Sequence, residues 1–410
     1  MSYKRLGDYI KFFDTRNSDE HNLNLDDIKG ISSISKEFVK TKANLVNVSP
    51  KGYKIVYNGC FAFNPNTARM GDKIPVALNK IVKPILVSSI YPTFRTTEGL
   101  LPEYLEMWFK RSEFDRYARY YSHGSAREVF DFEEMCDVEV PIPPIEKQRQ
   151  IVAQYESVAN KIKVNEQICE KLEAAAQALY KHWFVDFEFP NHEGQPYKST
   201  GGKMVWNEEL GKEIPEGWEV KSLKSLGNVI TGKTPSSSNP EDFGNEFQFI
   251  TPSDFVGNKT IIDSSRKLSL IGRDRLFNKI NPKKSVLVTC IGSDMGKVSL
   301  NVEQCITNQQ INSIVSSKDY YSEFLYYKLN EIREELKSIA VGGSTMPMLS
   351  KSQFETIEIL KPFDEIMESF SNITYHITDY YSTIKRQSQK FTQLQSLLLS
   401  RLSVGEEVSV

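Results

Sequence analysis

Residues 123–144, "HGSAREVFDFEEMCDVEVPIPP", lie without a gap over residues 342–363, "GGSTMPMLSKSQFETIEILKPF". Gly124 falls on Gly343 and Ser125 on Ser344, an offset of 219 residues. The offset continues downstream, where Leu172 meets Phe391 and Leu179 meets Leu398. The closing "FTQLQSLLLSRL" therefore echoes "LEAAAQALYKHWFVDF" at 172–187. Near the start of each copy, "KRLGDYI" and "KSLGNVI" place Gly7 on Gly227, and "PEYLEMWF" and "SEFLYYKL" place Tyr104 on Phe324, both at an offset of 220. Half of the chain is one unit, written twice.

Each copy has the same grammar: a mixed α/β region of about 140 to 150 residues, a strand-like segment ending in proline, then a long helix. In the first helix Ile151, Tyr155, Val158, Ile162, Cys169, Leu172, Leu179 and Trp183 recur at steps of three and four or their sums, the spacing of an amphipathic helix. Phe370, Ile373, Ile377, Tyr381, Ile384, Phe391, Leu394 and Leu398 repeat it in the second. Pro143 and Pro144 open the first helix and Pro362 the second, where a missing N–H costs nothing. A helix of about 40 residues is about 60 Å long, a spacer's length. Each could pack on its own domain, but two copies joined end to end most simply fold back with pseudo-twofold symmetry. The expected fold is mixed α/β: two tandem α/β target-recognition domains, each followed by a long helix, the helices pairing as an antiparallel coiled coil. The expected boundaries are 1–143, 144–205 for the central helix and connector, 206–360, and 361–410 for the C-terminal helix.

At 410 residues the chain is long enough for two or three cores. With 40% apolar and 25% charged residues it is neither disordered nor fibrous. The net charge of −2 means that any nucleic-acid site must be a local patch. Cys60, Cys136, Cys169, Cys290 and Cys305 are odd in number and scattered, with no CxxC pair, against a disulfide framework or a zinc ribbon and in favour of a reducing cytoplasm. The start, "MSYKRLGDYIKFF", lacks a signal peptide's apolar core, and no apolar run approaches a membrane span.

"GNVITGKT", Gly227–Thr234, satisfies the P-loop pattern to the letter. A P-loop must pass at once into a helix, whereas "PSSSNPEDFG" follows here. No HxxxH pair, GxSxG elbow or strand-borne GxGxxG is present. "EVK" at Glu219–Lys221 is too short to identify a nuclease, and "FAFNPNTAR" lacks the second proline and the aromatic ring of a base-flipping Asn-Pro-Pro-Tyr site. No metal site and no catalytic residue are expected. What remains is binding chemistry. Between Lys259 and Lys297 nine basic residues (Lys259, Arg266, Lys267, Arg273, Arg275, Lys279, Lys283, Lys284 and Lys297) face three acids, Asp263, Asp274 and Asp294. Lysine and arginine would hold phosphates while Arg, Asn, Gln or Ser at loop tips read base edges. "TNQQIN" and "GGSTMP" are loop-like stretches of that kind. The candidate DNA-binding residues are Arg69, Lys73, Arg119 and Arg127 in the first copy, and Lys233, Thr234, Arg273, Arg275, Lys297, Ser344 and Thr345 in the second. For any one of them a solvated surface charge is the plainer reading.

"PIPPIEKQRQIV", "LEAAAQALYKHWFVDFEFP" and "GQPYKSTGGKMVWNEELGKEIPEGWEV" resemble the central region of the specificity subunits of type I restriction–modification systems, and "ITGKTPS" resembles the opening of many of their recognition domains. The resemblance implies a non-catalytic subunit that reads a split target in double-stranded DNA, one half-site per recognition domain, with the paired helices setting the unread gap. It also implies partners: modification subunits that bind S-adenosylmethionine and methylate adenine, and restriction subunits that use ATP and Mg2+. No cofactor is expected in this chain. Gln148 and Arg149, in the Glu-x-Gln-Arg signature, and Tyr180, Trp183 and Phe184 are then candidates for partner docking. In the second copy "LKPFDEIMESF" replaces "PIPPIEKQRQI" and the signature is missing, which puts symmetrical docking in doubt. The competing readings are an independent P-loop NTPase using Gly232, Lys233 and Thr234, a nuclease, and a DNA-binding scaffold without a methyltransferase partner.

Overall fold

A computed structural model of the chain describes residues 3–18, 23–66, 73–123, 128–292, 294–340 and 348–402. Two helices dominate it, a central one over Ile145–Tyr180 and a C-terminal one over Asp364–Arg401. At 1.5 Å per residue they are about 54 and about 57 Å long. The chain's internal contacts divide it into one unit of Met1–Ile162 with Lys390–Val410 and another of Lys163–Gln389. The division cuts through both helices, so each unit owns the first part of one and the last part of the other.

In the first unit, Ile10–Phe13, Thr93–Thr96, Cys60–Phe63 and Val76–Leu78 form an antiparallel four-stranded sheet in that spatial order. Phe61, Phe63 and Phe94 pack from this sheet against Phe109 and Phe130. Tyr3–Arg5 pairs antiparallel with Glu139–Pro141, the strand that leads into the central helix.

The second unit repeats that entry, with Glu219–Ser222 pairing antiparallel with Glu358–Lys361 just before the C-terminal helix. Its main sheet has five strands in the order Gly227–Thr231, Ile311–Ser316, Val286–Thr289, Val298–Asn301, Thr260–Ile261. A smaller sheet runs Arg266–Leu268, Phe243–Ile250, Cys305–Thr307.

The duplicated helix residues do the same work in both units. In the second, Leu179, Tyr180 and Trp183 pack into the main core. In the first, Leu398, Leu399 and Leu402, each 219 positions later, pack into the other core. At the start of the helices, Gln148 and its repeat counterpart Met367 are both fully buried. The helices also touch side by side. Within the second unit the Asn165 amide donates to Gln387 Oε1 at 3.0 Å and Ser388 Oγ at 3.2 Å, and the Cys169 thiol donates to the Tyr381 carbonyl at 3.9 Å. Partner numbers fall as residue numbers rise, so the pair is antiparallel. Cys169, Ile168 and Leu172 form a small apolar cluster there with Tyr381 and Ile384, the seam that the periodicity requires.

The central helix ends in a π-type turn, Lys181–Val185, and reverses at Phe187, whose φ of 63° is the left-handed conformation of a helix stop. Glycine usually occupies such a position. Here the Phe187 ring is buried edge-on against Trp218, 5.5 Å between centroids, which offsets the backbone cost. A hairpin, Met204–Asn207 with Lys212–Pro215, completes the connector.

Candidate nucleic-acid interface

One end of the five-stranded sheet gathers loops that are far apart in sequence. Thr231 pairs with Asn312, Thr289 with Ile311 and Val288 with Val298. Residues 232–234, 308–310 and 290–297 therefore leave the sheet at the same end. Met348 bridges to Ile291, and the Leu349 N–H donates to the Cys290 carbonyl at 2.9 Å, bringing a fourth segment there.

Residues 308–311 form a tight turn closed by the Ile311 N–H donating to the Asn308 carbonyl at 3.2 Å, with Gln309 and Gln310 at its tip. The turn is held from several sides. The Asn308 N–H donates to the Ile250 carbonyl at 3.0 Å, and the Cys290 N–H to the Gln310 carbonyl at 2.7 Å. Gly232 and Lys233 donate their N–H groups to Ile311 and Thr307 carbonyls, at 3.1 and 2.8 Å. A Cβ on Gly232 would sit 2.2 Å from both the Thr307 and the Asn308 carbonyl oxygens, so only glycine permits this approach. Thr234 Oγ1 donates to Gln309 Oε1 at 2.6 Å. The Lys233 and Gln309 side chains are exposed at this edge.

The P-loop reading fails on the same geometry. Gly227–Thr231 is a strand, the next two N–H groups are spent on sheet carbonyls, and the following ordered turn is a 3-10 turn over Pro240–Asp242. No N–H cradle and no helix N-terminus remain for a phosphate. Glu219 and Lys221, the nuclease fragment, are an exposed ion pair at 2.9 Å on a paired strand. Among the described residues no cluster of three or more His, Cys, Asp and Glu side chains could hold a metal.

The basic stretch from Lys259 to Lys297 does not form one surface. Lys259 is buried, its Nζ 3.0 Å from Glu323 and 2.6 Å from the Tyr327 hydroxyl. Arg266 stacks on Phe243 and Phe249, and Lys284 lies 3.9 Å over the Tyr375 ring. Lys267, Arg273, Arg275, Lys283 and Lys297 pair with Asp263, Asp274, Glu241 and Asp242, Glu303, and Asp294, respectively. The acids from outside the stretch, Glu241, Asp242, Glu303 and Glu323, are what the linear count could not include. Lys297 lies beside the sheet end through its hydrogen bonds with Thr289. Arg273 and Arg275 sit near Asp242, before the strand Phe243–Ile250, at the opposite end of that strand from Asn308.

The first unit builds the corresponding edge. After the strand Cys60–Phe63, Asn66 bridges to Val129, which also exchanges two backbone hydrogen bonds with His123 at 2.8 and 3.0 Å. Phe130 donates its N–H to the Pro65 carbonyl at 2.9 Å. "NPNTARMGDK" and "SHGSAREV" are thus brought together by their described flanks. Val129 and Met348 are repeat counterparts, and each bridges to the loop that follows the matching strand. Arg69, Arg127, Ser344 and Thr345 lie outside the described residues. Lys73 is exposed, while Arg119 forms an ion pair with Glu128. Beneath this edge a buried pair, Lys36 and Asp115 at 2.6 Å, is tied to the Ile74 N–H through Asp115. Burial pushes the Lys36 amine below its ordinary range, with Asp115 opposing.

The docking assignments need correction. Gln148 is 0% exposed: its Nε2 donates to the Gly99 and Pro143 carbonyls at 2.8 Å, and its Oε1 accepts from the Leu101 N–H at 2.9 Å. Tyr180, Trp183 and Phe184 are buried among Phe324, Trp218 and Phe370. These four side chains complete the chain's own cores and present no surface to a partner. Arg149 is exposed, paired with Glu146 at 2.6 Å. Sequence reasoning reached "TNQQIN" as a stretch but did not single out Gln309 or Gln310. The available signal was a short polar run between two β-type apolar runs.

Residues 215–390 match the family described as the type I restriction modification DNA specificity domain. The chain is 31% identical over 359 residues to the type I restriction enzyme HindI specificity subunit of Haemophilus influenzae, covering 75% of this chain and 78% of that one. The MjaIX specificity subunit of Methanocaldococcus jannaschii is 26% identical over 351 residues, 84% of this chain and 78% of the relative. The fold also matches the crystal structure of the type I system S subunit from M. genitalium, with a TM-score of 0.61 at 12% identity over 98% of this chain and 95% of that chain. With a duplicated α/β plan, two paired long helices and a relative at this identity over most of its length, the chain belongs to the specificity subunits of type I restriction–modification systems, the non-catalytic subunits that recognise DNA.

Proposed function

We propose that this subunit reads a bipartite duplex target, one half-site per recognition unit, through the two loop-bearing sheet edges, and that the paired helices set the unread gap. The observation that carries this is the repeated edge: Val129 in one copy and Met348 in the other bridge to the loop after the matching strand, so one reading device has been kept twice. In the first unit Arg69, Lys73, Arg119 and Arg127 are assigned to DNA. In the second, Lys233, Thr234, Lys297, Ser344 and Thr345 serve the loop edge, while Arg273 and Arg275 contact backbone phosphates farther out. The basic side chains position and the loop tips specify.

Modification subunits carrying S-adenosylmethionine, and restriction subunits using ATP and Mg2+, would assemble on this chain. The docking surface moves from the buried aromatics to side chains left at the surface: Arg149, and in the second unit Trp206 and Tyr380, which are 60% and 50% exposed. Partners that also contact the duplex share the phosphate contacts, which fits the net charge of −2.

The test is the adenine-methylation pattern of DNA from cells that coexpress this chain with its modification subunit, against cells lacking the chain. A split motif that depends on the chain is expected. Copurification of the subunits with no new methylation would overturn the assignment in favour of a scaffold. Lys233→Ala should weaken DNA binding about equally across sequences and reduce the salt dependence by about one ion.

A further inference from the structure

The tip of the 308–311 turn is a rigid display for one side chain. Gln309 stands at it, exposed, on a turn anchored to Ile250, Cys290 and, through Gly232 and Lys233, to both neighbouring strands. Its amide is oriented by the Thr234 hydroxyl, which donates to Oε1 at 2.6 Å. That hydrogen bond decides which end of the amide is oxygen, because a hydroxyl that instead faced the NH2 group would have to accept. The amide oxygen has two acceptor positions, so one remains after Thr234 is served, and both N–H donors of Nε2 are unspent. The remaining set is one acceptor beside one donor on a planar group. In the major groove adenine presents the complement, the N6 donor beside the N7 acceptor, whereas guanine presents two acceptors and would face the fixed oxygen with its own O6.

Resting on the half-site reading above, we infer that Gln309, held by Thr234, is a specificity-determining residue that reads an adenine in the half-site of the second recognition unit. Oε1 accepts from adenine N6–H and Nε2 donates to N7. Gln310 is excluded from this role by its own turn, since its Oε1 accepts from Asn308 Nδ2 at 3.1 Å. Lys233, one residue before Thr234, supplies a charge to the adjoining phosphate with no base preference.

The experiment uses the full chain assembled with its modification subunits and reads the methylated motif from a randomised target library. Gln309→Ala should make one A·T position of the second half-site degenerate, with discrimination there falling roughly 5- to 150-fold, while the first half-site and the gap stay unchanged. Gln309→Glu, an acceptor-only side chain, should move that position towards cytosine, whose N4 is a donor. Thr234→Val should relax the same position towards guanine, and Thr234→Ser should preserve the wild-type motif. An unchanged motif in Gln309→Ala, or a change confined to a G·C pair, overturns the inference and leaves the half-site reading standing. A wild-type assembly that yields no split motif overturns the half-site reading itself.

Discussion

Replacing Lys259 by methionine removes a charge that the second unit cannot replace. The side chain is fully buried, with Nζ 3.0 Å from Glu323, 3.9 Å from Glu173 of the central helix and 2.6 Å from the Tyr327 hydroxyl. At an effective dielectric of about 20, two unit charges 3 Å apart attract by about 5 kcal/mol, before desolvation is set against it. The substitution leaves Glu323 buried without its cation, and breaking a buried pair in this way costs about 3–5 kcal/mol. Glu173 adds a pH dependence. Burial already raises its pKa, with Lys259 opposing, and without Lys259 the rise must grow. A carboxyl whose folded pKa exceeds its unfolded one contributes stability that is complete below the unfolded value and lost as pH rises through the folded value. The variant's deficit should therefore be larger at pH 8 than at pH 5. Urea unfolding followed by tryptophan fluorescence suits the test, because Trp183, Trp206 and Trp218 belong to the second unit and only Trp108 to the first. Adding Glu323→Gln should recover part of the loss. A single-variant loss under about 1 kcal/mol, or strict additivity of the two substitutions, would refute the view that the pair is a desolvated unit.

Gln148→Ala should cost about 1–3 kcal/mol of first-unit stability in the same unfolding assay, because it strands the Leu101 N–H and the Gly99 and Pro143 carbonyls; a neutral result would mean that the residue is not structural. Burial pushes the Cys290 and Cys305 thiols up to about 12, so a thiol reagent at pH 8 should spare both in the native protein and reach half-buried Cys136 first; early labelling of Cys290 would contradict the packing of the sheet end. Burial disfavours ionisation of Asp364 at the start of the C-terminal helix, yet hydrogen bonds from Lys318, Lys361 and Tyr321 outweigh it and hold the carboxyl well below its usual range. The stabilisation from this group is present above the ordinary aspartate pKa of about 3.9 and is lost as pH falls below it. Asp364→Asn should accordingly flatten the acid limb of the stability profile, and an unchanged limb would count against that network.

The duplication was legible because it is a matter of letters at a fixed offset, and the helices because a stripe at steps of three and four survives any arrangement of the domains. The site was legible only in outline. Lys259 looked like one more member of a basic stretch, since charge counted along a chain omits Glu323 and Glu173, which lie far away in sequence and touch it in space. Gln148 and Trp183 looked like surface signature, although side-chain type says nothing about which face of a helix is covered once two helices and a domain meet. Gly232 was read first as a phosphate-loop glycine, and its actual cause, the close approach of the Thr307 and Asn308 carbonyls, exists only when the strands are paired.

The sequence by itself determined the family, the repeat, the two long helices and the absence of a helix after "GNVITGKT", because each depends on composition, periodicity or chain neighbours. Tertiary structure alone decided that each unit borrows the end of the other copy's helix, that Arg273 and Arg275 sit apart from Lys233, and that Thr234 meets Gln309. Those outcomes depend on which strands pair and in what register, and strand pairing joins residues whose distance along the chain carries no signal of their distance in space.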